Sequence, residues 1–216
     1  MSDAGRGSAP GTKIETAVAT SPQTVTVTVV EPVLVVITKT VTQTVTTTVT
    51  VTQIAMQTVT QNSIIDILYN DEYFRSVPNY LNQASKTIDV AMYLLKYYNA
   101  APQNPANNVL HSIANAAKRG IPVRVLVDKD TLKIDSKVIE FLKDHGAEVR
   151  VIKDRRLHKK TISIDDKIFV VGSHNITKSA AQYNYEASTI LRIQNNYLKK
   201  KIKRCFDKLW KGSESI

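Results

Sequence analysis

Residues 157–175 read LHKKTISIDDKIFVVGSHN, and this stretch decides how the chain is interpreted. Residues 159–164 alternate polar and apolar side chains, which predicts a strand, and residues 168–171 (IFVV) predict a buried one. Asp165-Asp166-Lys167 between them has a turn-favouring composition, so we expect a hairpin. The polar positions follow the order H-x-K-x4-D-x6-G-S-x-N, which is formed by His158, Lys160, Asp165, Gly172, Ser173 and Asn175.

The residue types in this pattern suit the cleavage of a phosphodiester. A phosphodiester is an anion, so a nucleophile reaches phosphorus only when the non-bridging oxygens are neutralised and held. Lys160 supplies a positive charge, and Ser173 and Asn175 can donate hydrogen bonds to the same oxygens. A neutral imidazole is a competent nucleophile near pH 7, which assigns that role to His158. His158 and Lys160 stand two apart, so on a strand they project to the same face.

The pattern resembles the HKD signature of the phospholipase D superfamily, whose members cut or transfer phosphodiesters through a phosphohistidine. The resemblance implies a catalytic set with His158, Lys160, Ser173 and Asn175, and no metal or other cofactor. That active site uses two facing copies of the motif, whereas this chain has one. The resemblance therefore implies a homodimer that pairs through the catalytic face, with the second His158 protonating the leaving oxygen.

The resemblance extends to both sides of the motif. Asn184-Tyr185-Glu186 stands where the superfamily often has N-x-E, which implies that Glu186 hydrogen-bonds the catalytic imidazole and that Asn184 supports it. Gly172 is expected to end the second strand in a turn. Upstream, residues 73–93 and 117–128 resemble the superfamily's opening helix-to-strand passages.

The remaining ionisable side chains have simpler interpretations. We interpret His111, His145 and His174 as packed or solvated side chains. Asp165 is interpreted as a structural partner of the hairpin, because Asp favours turns. Asp165 with Asp166 could suggest a metal pair, but no second cluster of ligands at suitable spacing supports one.

Strand and helix patterns alternate through the rest of the chain from residue 63. Helices are expected over residues 71–86, 108–119, 135–145, 177–183 and 195–211, with strands between them. This order predicts an α/β sandwich, similar to the phospholipase D fold, with a mixed, largely parallel central sheet flanked by helices.

Charge and composition indicate which substrates and covalent links are possible. The chain has 216 residues and a formal net charge of +10. Basic and acidic residues balance within residues 1–62, so the excess lies on the predicted catalytic domain, residues 63–216. A basic surface around a phosphodiester site favours nucleic acid as the substrate. A single cysteine, Cys205, excludes an intramolecular disulfide.

Residues 1–62 form a separate low-complexity extension rich in Thr and Val. Alternation over residues 24–29 favours a strand, whereas Val41, Val45 and Val49 recur at a spacing that a helix could also use. A stalk, an oligomerisation ribbon and a tether all fit this irregular composition. The extension has no continuous apolar run long enough to predict a membrane span or a signal peptide, and the cellular location stays open.

The sequence thus favours a metal-independent phosphodiesterase, most simply a DNA or RNA endonuclease that acts as a homodimer. The first alternative is a phospholipase D or phosphatidyl transferase that uses the same site on lipid headgroups. The second is a non-catalytic protein that binds nucleic acid or assembles at a surface. The complete motif argues against the second, because a binding protein has no need of His158.

Overall fold

The computed structural model describes residues 37–42, 48–53 and 62–216. The chain divides into two units, residues 1–59 and 60–216, which we describe separately. In the first unit, β1 (Ile37–Thr42) and β2 (Thr48–Gln53) pair antiparallel, with Val41 opposite Val49. Both valines therefore lie on strands, although their spacing also allowed a helix. Val45 and the alternating residues 24–29 lie outside the described residues, and the predicted domain limits stay a prediction.

The second unit alternates strands and helices in the predicted manner. Its strands are β3 (Ser63–Tyr69), β4 (Ile88–Met92), β5 (Val123–Asp128), β6 (Glu148–Ile152), β7 (Lys160–Ile164), β8 (Ile168–Gly172), β9 (Ala187–Arg192) and β10 (Glu214–Ser215). Its helices are α1 (Glu72–Asn82), α2 (Pro105–Lys118), α3 (Lys129–Ile134), α4 (Lys137–Asp144), α5 (Lys178–Gln182) and α6 (Asn196–Lys211).

The strands of this unit form one sheet of eight, in the order β10-β6-β5-β4-β7-β8-β9-β3. The expected α/β class and the mixed sheet flanked by helices are confirmed. The pairing is more antiparallel than the sequence predicted, because only β4–β5 and β5–β6 are parallel among the described pairs. The difference arises at β7, β8 and β9, which follow one another along the chain and pair antiparallel with their neighbours.

Helices cover the two faces of the sheet unequally. On one face, α1, α2 and α4 contribute buried residues such as Leu81, Leu110 and Leu142 to the main core. On the other face, Phe206 and Trp210 of α6 form a smaller cluster with residues of β4, β5 and β6. Because buried apolar area contributes about 25 cal/mol per Å², the larger core dominates the hydrophobic stabilisation. Because helices pack on both faces of the sheet, the backbone at the strand ends is held in place.

The β7–β8 hairpin is present where the sequence predicted it. Its turn places Asp165 and Asp166 at φ of 57° and 54°, a left-handed conformation that Asp tolerates better than most residues. The Asp165 carboxylate accepts hydrogen bonds from the backbone N–H groups of Ser85, Lys86 and Thr87, at 2.7–3.2 Å. Asp165 therefore has the structural position that the sequence favoured.

Replacing Asp165 with Asn is expected to lower the free energy of unfolding by about 1–3 kcal/mol, because an amide accepts these bonds less strongly than a carboxylate. Burial raises the pKa of Asp165, but the bonds from Thr87, Lys86 and Ser85 together outweigh it and hold the pKa below its ordinary value. The stabilisation should thus be present at neutral pH and be lost as the pH falls through that lowered pKa.

Urea unfolding at pH 7 and pH 3 measures this effect. Asp166→Asn is the matched control, since Asp166 is exposed and has a similar φ. Equal destabilisation by the two substitutions would contradict the assigned role of Asp165.

Candidate active site

His158 lies at the end of an irregular segment that leads into β7, and buried groups on both sides fix its position. The preceding residue, Leu157, is buried in the cluster beneath α6. Its backbone N–H donates a 2.7 Å hydrogen bond to the carboxylate of Asp128, which is itself fully buried at the end of β5. The same carboxylate caps α3 by accepting from the Asp130 N–H. The His158 side chain is exposed, so a fixed backbone presents an accessible imidazole.

Lys160 lies beside this imidazole. Its Nζ is 3.4 Å from His158 Nε2 and 3.2 Å from the His158 carbonyl oxygen. An ammonium has only donors, so it can donate to an imidazole nitrogen that carries no proton. Burial lowers the pKa of Lys160, and the nearby Glu186 carboxylate opposes this shift. The pair therefore places an accessible imidazole beside a partly desolvated cation.

Tyr93, which the sequence analysis did not single out, packs against both residues. Its ring centroid is 4.8 Å from that of His158, and Lys160 Nζ lies 5.1 Å from the ring centroid. The Tyr93 hydroxyl donates to Asp130 at 3.1 Å, a bond that raises the pKa of the phenol. Arg156 Nη2 lies 3.8 Å from the same carboxylate. An aromatic residue directly after the buried strand β4 was the one available sequence signal.

Ser173 and Glu186 meet where β8 ends and β9 begins. The Ser173 hydroxyl donates to the Glu186 carboxylate and accepts from the Ala187 N–H at 3.1 Å. The Asn184 side-chain amide donates to the other Glu186 oxygen at 2.9 Å, which gives Asn184 a positioning role. Gly172 permits this arrangement, because a Cβ there would overlap with backbone and side-chain atoms of Ala187 and Ser188.

The loop after β8 carries Asn175 into the same region. Its Oδ1 accepts a 3.3 Å hydrogen bond from the Leu94 N–H. The intervening His174 points inward, as the sequence favoured: it is fully buried, stacks on Tyr73 at 4.5 Å and hydrogen-bonds Ser188 Oγ and the Asn70 carbonyl. Burial lowers the pKa of His174, which favours its neutral form. This residue anchors the loop that presents Ser173 and Asn175.

The sheet brings the predicted residues together at the ends of neighbouring strands. Lys160 pairs with Met92, the adjoining Thr161 pairs with Val171, and Gly172 pairs with Ser188, so the ends of β4, β7, β8 and β9 lie side by side. One expected contact is missing within the chain. Glu186 hydrogen-bonds Ser173 and Asn184, and no hydrogen bond joins it to His158 among residues 62–216. The expected contact of Glu186 with the His158 imidazole therefore stays a prediction.

Residues 37–42, 48–53 and 62–216 contain no group of three or more His, Cys, Asp or Glu side chains that could hold a metal ion. Within the same residues, none of the helices has both the length and the apolar content needed to cross a bilayer.

Comparison with known proteins decides the family. Residues 77–210 match the family model described as "Cardiolipin synthase, PLD-like domain", which covers more than half of the chain and includes the whole motif. The chain belongs to the phospholipase D superfamily. This membership confirms the resemblance drawn from residues 157–175.

Relatives in the superfamily have different named activities. The 5'-3' exonuclease PLD3 of Xenopus laevis is 30% identical over 153 residues, which cover 65% of this chain and 31% of the relative. A cardiolipin synthase of Clostridium perfringens is 27% identical over 131 residues, which cover 55% of this chain and 26% of the relative. This chain thus spans about a third or less of the length of these relatives.

Solved structures support the fold of this superfamily member. Nuc from Salmonella typhimurium, a phospholipase D family member, superposes with a TM-score of 0.61 at 19% identity, covering 72% of this chain and 99% of Nuc. NucT from Helicobacter pylori superposes with a TM-score of 0.58 at 20% identity and the same coverage. At these identities the likeness concerns the fold alone.

Proposed function

We propose that this protein hydrolyses phosphodiester bonds of DNA or RNA as a homodimer, without a metal ion, through a phosphohistidine at His158. The observation that supports it most is the 3.4 Å contact between His158 Nε2 and Lys160 Nζ at an exposed strand end. A nucleophile beside a cation is what attack on an anionic phosphorus requires.

The proposed reaction has two displacements. His158 Nε2 attacks phosphorus and forms a P–N bond, while the P–O bond to the leaving group breaks and the departing oxygen takes a proton from a second imidazole. That imidazole then removes a proton from water, whose oxygen attacks phosphorus and releases His158. Lys160 and Asn175 hold the non-bridging oxygens, Ser173 donates to them when its hydroxyl turns from the Glu186 carboxylate to the phosphate, and Asn184 positions Glu186.

The second imidazole is assigned to the partner subunit's His158. Within residues 62–216, the remaining histidines do not suit this role: His174 is buried, and His111 and His145 pack around Phe141. In a two-fold arrangement, Glu186 would orient the partner subunit's His158, which accounts for the missing contact within one chain. We therefore place the dimer interface at the catalytic face.

Nucleic acid is favoured as the substrate. All of the net charge of +10 falls on residues 63–216, and a basic surface attracts a polyanion. The similarity to an exonuclease supports the same choice. The competing candidate is a lipid headgroup, which the similarity to cardiolipin synthases supports.

Parallel assays in excess EDTA test the proposal. We expect full cleavage of plasmid DNA or RNA by the purified protein, because no proposed step uses a metal, and no hydrolysis of phosphatidylglycerol vesicles. Mass measurement in solution should give a dimer. Activity that EDTA removes and Mg²⁺ restores would contradict the mechanism, and turnover of the vesicles alone would favour the lipid candidate. Tight DNA binding that leaves the DNA intact would favour a non-catalytic protein.

A further inference from the structure

Three strongly exposed tyrosines border Glu186. Tyr185 precedes it directly and is 98% exposed, and Tyr183 is 70% exposed. Tyr69 is 56% exposed and precedes Asn70, which exchanges two 3.0 Å hydrogen bonds with the backbone of Glu186. We call Tyr69, Tyr183 and Tyr185 the tyrosine rim.

Within one chain, these rings do not pack against other aromatic side chains. Among the described aromatic pairs, none includes a member of the tyrosine rim, and none of the rim hydroxyls forms a hydrogen bond within residues 62–216. Other tyrosines differ: Tyr73 is buried against His174, and the Tyr98 hydroxyl accepts from the Lys178 N–H. Lys178 Nζ lies 5.8 Å from the Tyr183 ring centroid, which adds a cation at the rim.

The surroundings of the rim indicate which ligand it suits. Each base of an unpaired strand offers a π-face, and stacking on an aromatic side chain contributes about 1–3 kcal/mol per base. Such stacking is closed to bases within a duplex, because they already stack on each other. An anionic bilayer fits poorly, since Gln182, Asn184 and the Glu186 carboxylate separate the rings and keep this surface polar.

We propose that the tyrosine rim stacks on unpaired bases next to the phosphate held at Lys160, so that single-stranded nucleic acid is the preferred substrate. This inference rests on the proposed function. The rim lies at the same end of the strands as the catalytic residues, because Tyr69 pairs with Ala187 and Gly172 pairs with Ser188. A base flanking the scissile bond would therefore lie within reach of the rings.

Binding in a catalytically inactive background tests the proposal. The protein would carry His158→Ala, and the probes would be a fluorescent oligothymidylate of ~12 nucleotides and an abasic strand of the same length. Adding Tyr183→Ala and Tyr185→Ala should weaken oligothymidylate binding by about tenfold or more and leave abasic binding unchanged. Adding Tyr183→Phe and Tyr185→Phe should restore the affinity, because stacking needs the ring and not the hydroxyl.

Tyr197→Ala is the matched control. Tyr197 is 69% exposed at the start of α6, near the opposite end of β3 and β9, and its removal should leave both affinities unchanged. Equal losses for both probes, no loss for either, or dissociation of the dimer in the Ala variants would overturn the proposal.

The two proposals fail differently. Unchanged oligothymidylate binding in the Ala variants, with DNA cleavage intact in EDTA, would overturn the role of the rim alone. A selective loss of oligothymidylate binding in a protein that never cleaves DNA would support the rim and overturn the proposed chemistry.

Discussion

His158→Ala is expected to lower phosphodiester cleavage by about 10⁴-fold or more, because in the proposed mechanism the substitution removes both the nucleophile and, in the partner subunit, the proton donor. The fold should persist, since the His158 side chain is exposed and contributes nothing to either buried cluster. Oligonucleotide cleavage in EDTA measures the loss, and circular dichroism checks the fold. A rate within tenfold of the unsubstituted protein would exclude His158 as the nucleophile.

His111→Ala is the control for this experiment. His111 is an exposed histidine on α2 whose ring contacts those of Tyr97 and Phe141, so its removal should not change cleavage. With a DNA oligonucleotide as substrate, a rapid alkaline quench of the reaction should additionally trap the substrate's phosphoryl group on His158, as an adduct that is labile to acid and stable to base. The adduct should be missing from His158→Ala and present in His111→Ala.

Gly172→Ala is expected to have the second largest effect, on both stability and activity. The new Cβ would overlap with Ser188 and the carbonyl oxygen of Ala187, so β8 and β9 would have to separate. Overpacking of this kind should lower the free energy of unfolding by about 2–4 kcal/mol. Displacing the adjoining Ser173 by about 1 Å would reduce cleavage about 100-fold. Denaturant unfolding and oligonucleotide cleavage measure the two effects.

Gly212→Ala provides the comparison for this substitution. Gly212 ends α6 with a φ of −87°, and the atoms nearest to an added Cβ are 3.7 Å away. Alanine there should be neutral or slightly stabilising, by about 0.5 kcal/mol. If Gly172→Ala were as mild as Gly212→Ala, the close approach of β8 to β9 would not be a requirement of the site.

Much of the fold could be predicted because its signals are local. The alternating residues 159–164 and the Asp-rich turn after them define the β7–β8 hairpin within a short span. Helix α3 was missed because its six residues, KDTLKI, are too few for a periodic pattern, and Asp128 supplies its cap. The pairing directions were less predictable, since the β4–β7 contact joins strands about 70 residues apart.

The residues of the candidate site also fall into those that a local pattern predicts and those that only the fold brings together. His158, Lys160, Ser173 and Asn175 fall within one motif, so their spacing alone suggested a common site. Tyr93 contacts His158, Asp130 binds the Tyr93 hydroxyl, and Asp128 binds the Leu157 N–H. These three residues lie elsewhere in the chain and come together because β4 lies between β5 and β7 in the sheet. Glu186 was expected at the imidazole, yet within one chain it binds Ser173 and Asn184. The motif spacing predicts which side chains share a site and leaves open which of them hydrogen-bond each other.

The β7–β8 hairpin is fastened to the rest of the molecule at two distant points. Asp165 ties its tip to residues 85–87, and Asp128 ties the residue before His158 to the end of β5. Residues 158–164 separate the two tied residues, a distance of about 26 Å along a fully extended chain. Because both ends of this segment are fixed, a displacement of Asp165 would be transmitted along β7 to His158. Chemistry at His158 should therefore be sensitive to changes at the loop before β4, far from any bound phosphate.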